Sequence, residues 1–133
     1  MIRVYTASKM RHAARWRELC ASTPHVQFHA RWLKHTAIGT PDTPEHAVEF
    51  WLQDEQDVKH ADAVMLYAEG DEHLRGALVE AGMAIAYGVP VIVVGKHSDY
   101  GTWQHHPGVT RVEDLTEALA YLKTLKPRYQ RTA

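Results

Sequence analysis

Short runs of β-branched and apolar residues alternate along the whole chain with longer segments of helical spacing. Ile2 to Thr6 reads as a strand, Ala7-Ser8-Lys9 as the turn after it, and Met10 to Ala21 as a helix of about three turns. Val26 to His29 is a weaker second strand. An irregular stretch from His35 ends at Thr43, an N-cap followed by Pro44 at the first helical position and Glu45 in the first turn, so a helix is expected to about His60. Asp62 to Tyr67 makes a third strand and Ala68 to Leu74 a loop. Arg75 to Gly88 then reads as a helix closed by its glycine, and Pro90 to Val94 as a fourth strand. After a polar and aromatic loop from Lys96 to Gly108, Val109 to Val112 forms a short fifth strand. Asp114 to about Leu125 has the spacing of an amphipathic helix, and the residues from Lys126 onward are expected to fray.

This alternation predicts a doubly wound α/β fold of flavodoxin-like or Rossmann-like type, with a five-stranded parallel sheet in the order 2-1-3-4-5 and helices on both faces. Ligands of such sheets collect beyond the C-terminal strand ends, so the loops Tyr5 to Lys9, Tyr67 to Gly76 and Gly95 to His106 frame the expected site. A chain of 133 residues, 45% hydrophobic, fits one core, placed here at residues 1–126 with 127–133 as a tail.

Charge and cysteine content narrow the partners. The 15 Lys and Arg against 16 Asp and Glu give a formal charge of -1, which argues against a nucleic-acid polymer and for a small-molecule ligand with local anion contacts. Cys20 stands alone, so no internal disulfide forms, and the first residues run into a strand pattern rather than a long apolar segment. A soluble cytoplasmic protein without membrane contact is expected. Ten histidines are scattered, with only His105 and His106 adjacent and no third ligand at a suitable spacing; neither a metal nor a cofactor is expected.

Glu80 is the chemical anomaly. It is the only acid in the helix from Arg75 to Gly88, which is apolar nearly all round and so should be packed on every side. Burying an ionised acid costs several kcal/mol or shifts its pKa, so a carboxyl group kept there suggests chemistry. The spacing leaves a second reading open, in which Glu80 turns to solvent or pairs with Arg75 or Lys96. In the preceding helix Ala47, Trp51, Asp54, Val58 and Ala61 share a stripe, so Asp54 interrupts an apolar face and is expected to point inward. Glu49, Glu55 and Asp57 fall off that stripe and read as a solvated face, while Asp62 reads as a cap or turn residue. Gly76 lies one turn before Glu80 on the same side, where a missing side chain leaves room for a substrate ring; it reads equally as a helix-start glycine or as a close helix-to-strand contact. Tyr100 and Trp103, with the paired histidines, read as part of a loop over the site. Their rings either stack on a base or pack back on the fold.

Asp54, the strand Ala61 to Leu66, and Gly76-Ala77-Leu78-Val79-Glu80-Ala81-Gly82-Met83 running on to Gly88-Val89-Pro90-Val91, with Val4-Tyr5 in the first strand, resemble the nucleoside 2-deoxyribosyltransferase family, which includes 2'-deoxynucleoside 5'-phosphate N-hydrolases. The resemblance implies Glu80 as nucleophile on the anomeric carbon, Asp54 as helper at the sugar or leaving base, and Tyr5 as the residue orienting Glu80 or the sugar. Leu74 departs from it, since many members carry Ser or Asp six positions before the nucleophile; His73, Arg75 or Asp71 then takes that contact, or the substrate differs. The first loop lacks the usual glycines. Ser8, Lys9 and Arg11 there are the expected phosphate contacts, and Gly76, His73, Arg75 and Trp103 complete the expected substrate site. The reading is an N-glycosidic hydrolase of (deoxy)ribonucleoside 5'-monophosphates working as a homodimer. The alternatives are a nucleoside 2-deoxyribosyltransferase, an NAD-cleaving enzyme of Toll/interleukin-receptor type, or a nucleotide-sensing module without catalysis.

Overall fold

A computed structural model describes residues 1–8, 12–28, 44–69, 72–97 and 100–128. Its strands are β1 (Ile2–Ala7), β2 (Val26–Phe28), β3 (Ala63–Tyr67), β4 (Val91–Val94) and β5 (Val109–Val112). All pair in parallel in the order β2-β1-β3-β4-β5. The order reverses at β1, whose neighbours on either side are β2 and β3, so a switch point lies at the C-terminal ends of β1 and β3. Four helices, α1 (Ala13–Ser22), α2 (Pro44–Lys59), α3 (Gly76–Ala86) and α4 (Leu115–Leu122), cover the two faces.

The three central strands are buried on both faces, which is why they read as continuous apolar runs rather than alternating ones. Tyr5, Val4, Val64, Met65, Leu66 and Ile92 form the middle of the core. Helix α3 packs against β1, β3 and β4 and lies beside α2, which buries Ala77, Glu80, Ala81 and Ala84, while Val79, Gly82 and Ala86 stay exposed, so it is not packed on every side. It ends in a Schellman arrangement: Gly88, at φ 73°, donates to the Ile85 carbonyl at 3.2 Å and Val89 to the Ala84 carbonyl at 2.8 Å. Asp114 caps α4 by accepting from the Glu117 amide at 2.8 Å.

The structure differs from the sequence expectations at four places. Asp57, expected on a solvated face, is 7% exposed: it lies four residues before Ala61 and three after Asp54, and α2 sinks deeper toward its C-terminal end than its first stripe indicates. Trp51, expected inward, is instead 37% exposed. The loop after β4 contains a short 3₁₀ helix, Thr102–His105. Residues 126–128 are anchored rather than frayed. Asp62, buried just before β3, accepts from the Arg3 amide through Oδ2 and from the Arg128 amide through Oδ1, both at 2.7 Å, and the Arg128 guanidinium donates to the Ala61 and Tyr87 carbonyls. No described helix is long and apolar enough to cross a membrane.

Candidate active site

Tyr5 stands in β1 with no exposed surface, and Glu80 stands one turn into α3, 6% exposed. The strand register and the packing of α3 on β1 bring the two together, and the Tyr5 hydroxyl donates to Glu80 Oε2. Of the two sequence readings of Glu80, the buried one is therefore observed, and neither Arg75 nor Lys96 neutralises it: Arg75 is exposed and Lys96 pairs with Glu113 at 3.4 Å. Burial pushes the Glu80 carboxyl up to about 8, because a low-dielectric surrounding penalises its charged form. The phenol hydrogen bond satisfies one oxygen without supplying a counter-charge.

Helix α2 forms the neighbouring wall. Gly76 opens α3, and the space its side chain would fill is met by the Trp51 ring, whose Cη2 and Cζ2 atoms lie 3.3 and 3.4 Å from an added Cβ. Gly76 is thus a helix-start glycine, and its close contact is with a neighbouring helix rather than with a strand or an open space for a ring. Asp54, half-buried and already engaged in an interaction, lies one turn beyond Trp51 on α2, as Glu80 lies one turn beyond Gly76 on α3. His73 and Arg75 are exposed at the entry to α3, and Leu74 between them is buried. Ser8, at the end of β1, accepts a 2.8 Å bond from the Trp16 indole. Lys9 and Arg11, like Asp71, lie outside the described residues.

A polar cluster that sequence spacing did not reveal ties the loops after β1 and β3 together. His12 Nε2 lies 3.0 Å from Glu72 Oε1, which also accepts from the Glu69 amide at 2.7 Å. Tyr67 donates to Glu69 at 2.7 Å, and Arg15 reaches both Tyr67 and Glu69. The Tyr67 phenol and then the Arg15 guanidinium hold Glu69 below the usual carboxylate range. His12 and Glu72 are 60 residues apart, so no local pattern in the chain marks the pair.

Trp103 packs back on its own loop, donating through its indole to the Tyr100 carbonyl at 2.6 Å. His105 and His106 line a cavity of about 880 Å³ between β5 and residues 95–107, with Lys96, Arg111, Glu113 and Glu117. None of Tyr5, Asp54 or Glu80 lines that hollow. Glu80 is a desolvated carboxyl beside β1, whereas the charged residues of the hollow are exposed.

Comparisons with known proteins bear on the family and the fold. A search of curated protein sequences gave no match. Among solved structures the fold resembles a CMP N-glycosidase of Clostridium botulinum, BcmB, with 18% identity over 91% of this chain and 98% of the other and a TM-score of 0.57. The family profile named nucleoside 2-deoxyribosyltransferase matches residues 3–115, a span that includes Tyr5, Asp54 and Glu80, and the chain belongs to that family.

Proposed function

We propose that this chain hydrolyses the N-glycosidic bond of a (deoxy)ribonucleoside 5'-monophosphate, with Glu80 as nucleophile. The observation that carries the reading is the Glu80 carboxyl itself, buried, bonded to the Tyr5 hydroxyl and without a cationic partner in any described contact. In the reaction a Glu80 carboxylate oxygen bonds to C1' as the bond from C1' to the base nitrogen breaks through an oxocarbenium-like transition state. The electron pair of the broken bond leaves with the base, which takes up a proton. Water then attacks C1' of the glycosyl ester, regenerating Glu80 and releasing the sugar phosphate with net retention. Positive charge developing on the sugar favours the ionised carboxylate, drawing the Glu80 pKa down in the complex. Tyr5 orients the nucleophile, and Asp54 serves the sugar hydroxyls or the leaving base.

The 5'-phosphate is assigned to the turn after β1, through Ser8, Lys9 and Arg11, with His73 and Arg75 at the entry to α3. The CMP named for the structural neighbour supports a monophosphate substrate. The working form is proposed to be a cytoplasmic homodimer, since Val48 and Leu52 on α2 and Val79 on α3 are all more than half exposed on neighbouring helices. Incubation with a panel of nucleosides and their 5'-monophosphates, followed by chromatography for free base, tests the reading. Base release from a monophosphate at a higher kcat/KM than from its nucleoside is expected. No base released from any member would reject it, and base exchange exceeding hydrolysis when a second free base is added would make the chain a transferase.

A further inference from the structure

Three tryptophans lie among the described residues, and two are held inside the fold. Trp16 is buried with its indole on Ser8, and Trp103 is tied to the Tyr100 carbonyl. Trp51 differs. More than a third of it is exposed, yet the end of its ring is seated against the first residue of α3 at a distance that only glycine allows without displacement. Side chains on a helix lean toward its N-terminus, so the ring extends along α2 toward the C-terminal edge of the sheet, where the order of strands reverses. A Cβ on residue 76 would point to the same side of α3 as Glu80, and positions four apart on a helix have Cβ atoms about 6 Å from each other. The Trp51 ring end therefore lies against the turn of α3 that precedes Glu80, on the side of the helix that carries Glu80.

We propose that Trp51 is the surface against which the heteroaromatic base stacks, and that Gly76 sets the height of that surface; this rests on the reading of Glu80 as the group attacking C1'. A base bonded to the carbon that Glu80 attacks extends about one ring width from it, which on this proposal carries it to the turn of α3 that Trp51 covers. An exposed indole face is poorly solvated and gains from contact with a flat π-system, and such stacking tolerates any nucleobase. Affinity for the base then comes from Trp51 while orientation comes from polar groups elsewhere. An added methyl at Gly76 would press on the ring at 3.3 Å and shift the platform by a few tenths of an ångström.

Binding measured in a Glu80→Gln background, where turnover is blocked, separates this proposal from the catalytic one. Titration calorimetry with a panel of ribo- and deoxyribonucleoside 5'-monophosphates, and with ribose 5-phosphate as a base-free probe, is compared with and without Trp51→Ala and Trp51→Phe. Trp51→Ala is expected to weaken the tightest nucleotide about tenfold to a hundredfold, with Trp51→Phe restoring most of the loss and ribose 5-phosphate unaffected. Nucleotide affinity unchanged by Trp51→Ala, or an equal loss for nucleotide and ribose 5-phosphate, overturns the proposal, the second result pointing to a structural or subunit-contact role. If the parent chain binds nucleotides through Trp51 yet releases no base, the stacking role stands and the glycosidase reading falls. If the parent binds no nucleotide at millimolar concentration, both fall.

Discussion

At the scale of single residues, the Glu80 carboxyl sets a pH dependence of stability and, on the proposed mechanism, of rate. Its pKa is about 8 in the fold against a reference of 4.5, so the folded chain holds a proton there that the unfolded chain releases. The group's contribution is fully favourable below pH 4.5, is lost as pH rises to about 8, and is constant above that. Glu80→Gln removes this dependence. Denaturant melts should show the variant gaining on the parent by up to about 1.4 kcal/mol for each pH unit across that window, and a difference independent of pH would mean the carboxyl is not desolvated. The same variant should release no base, because an amide matches the carboxylate in size but cannot attack C1'. For the parent, kcat/KM should climb with pH and level off near pH 8, the rising limb reporting ionisation of the free enzyme's nucleophile. A profile flat from pH 6 to 9 would assign the chemistry to another group. Glu49→Gln, at an exposed position of α2, is the proper silent control. Asp57 is unsuitable for that purpose, being buried and partnered.

At the scale of elements, strands were the most legible feature. Runs such as Val91–Val94 are β-branched and buried on both faces, so composition alone separates them from the helices around them. Gly88 was legible as a helix stop because a left-handed residue is needed there, and Glu80 was legible as an anomaly, one acid among small apolar residues, although spacing alone left a solvent-facing or ion-paired reading open. The helix stripes were read less well. Spacing gives a direction around the helix axis but not which neighbour covers it, so Trp51 came out at the rim and Asp57 inside. Links between distant elements, such as His12 with Glu72, leave no local trace. Asp62 had the right role, a turn residue, but its reach was hidden. It holds β1 through the Arg3 amide and the segment after α4 through the Arg128 amide, at the edge of the sheet opposite Glu80. Asp62→Ala should cost about 2–4 kcal/mol in urea unfolding while leaving base release per folded molecule unchanged, since two buried bonds to a charged acceptor are lost far from the site. A fall in kcat equal to the fall in stability would contradict that separation.

At the scale of the whole molecule, the parallel order and the switch point followed from strand and helix alternation together with the crossover rule. Self-association is not written in that pattern; it is argued from Val48, Leu52 and Val79, which no described element covers. Leu52→Glu should shift sedimentation from a dimer to a monomer, because a charge in an apolar contact is left without solvent or partner. A parent chain that sediments as a monomer at micromolar concentration would refute the dimer.

The Asp62 clamp has another consequence. One carboxylate holds the amides of Arg3 and Arg128 on its two oxygens, so both ends of the described chain emerge side by side. From Arg3 to Arg128 the backbone is in effect a nearly closed ring, and where that ring is opened matters little to the fold. A circular permutant of residues 1–128 with a short glycine-rich link joining Met1 to Arg128, and opened at the exposed turn His106-Pro107-Gly108, should fold cooperatively and match the parent in ligand binding. Failure of that permutant to fold, with the same link tolerated as a simple C-terminal extension, would show that the order of synthesis matters to how this sheet assembles.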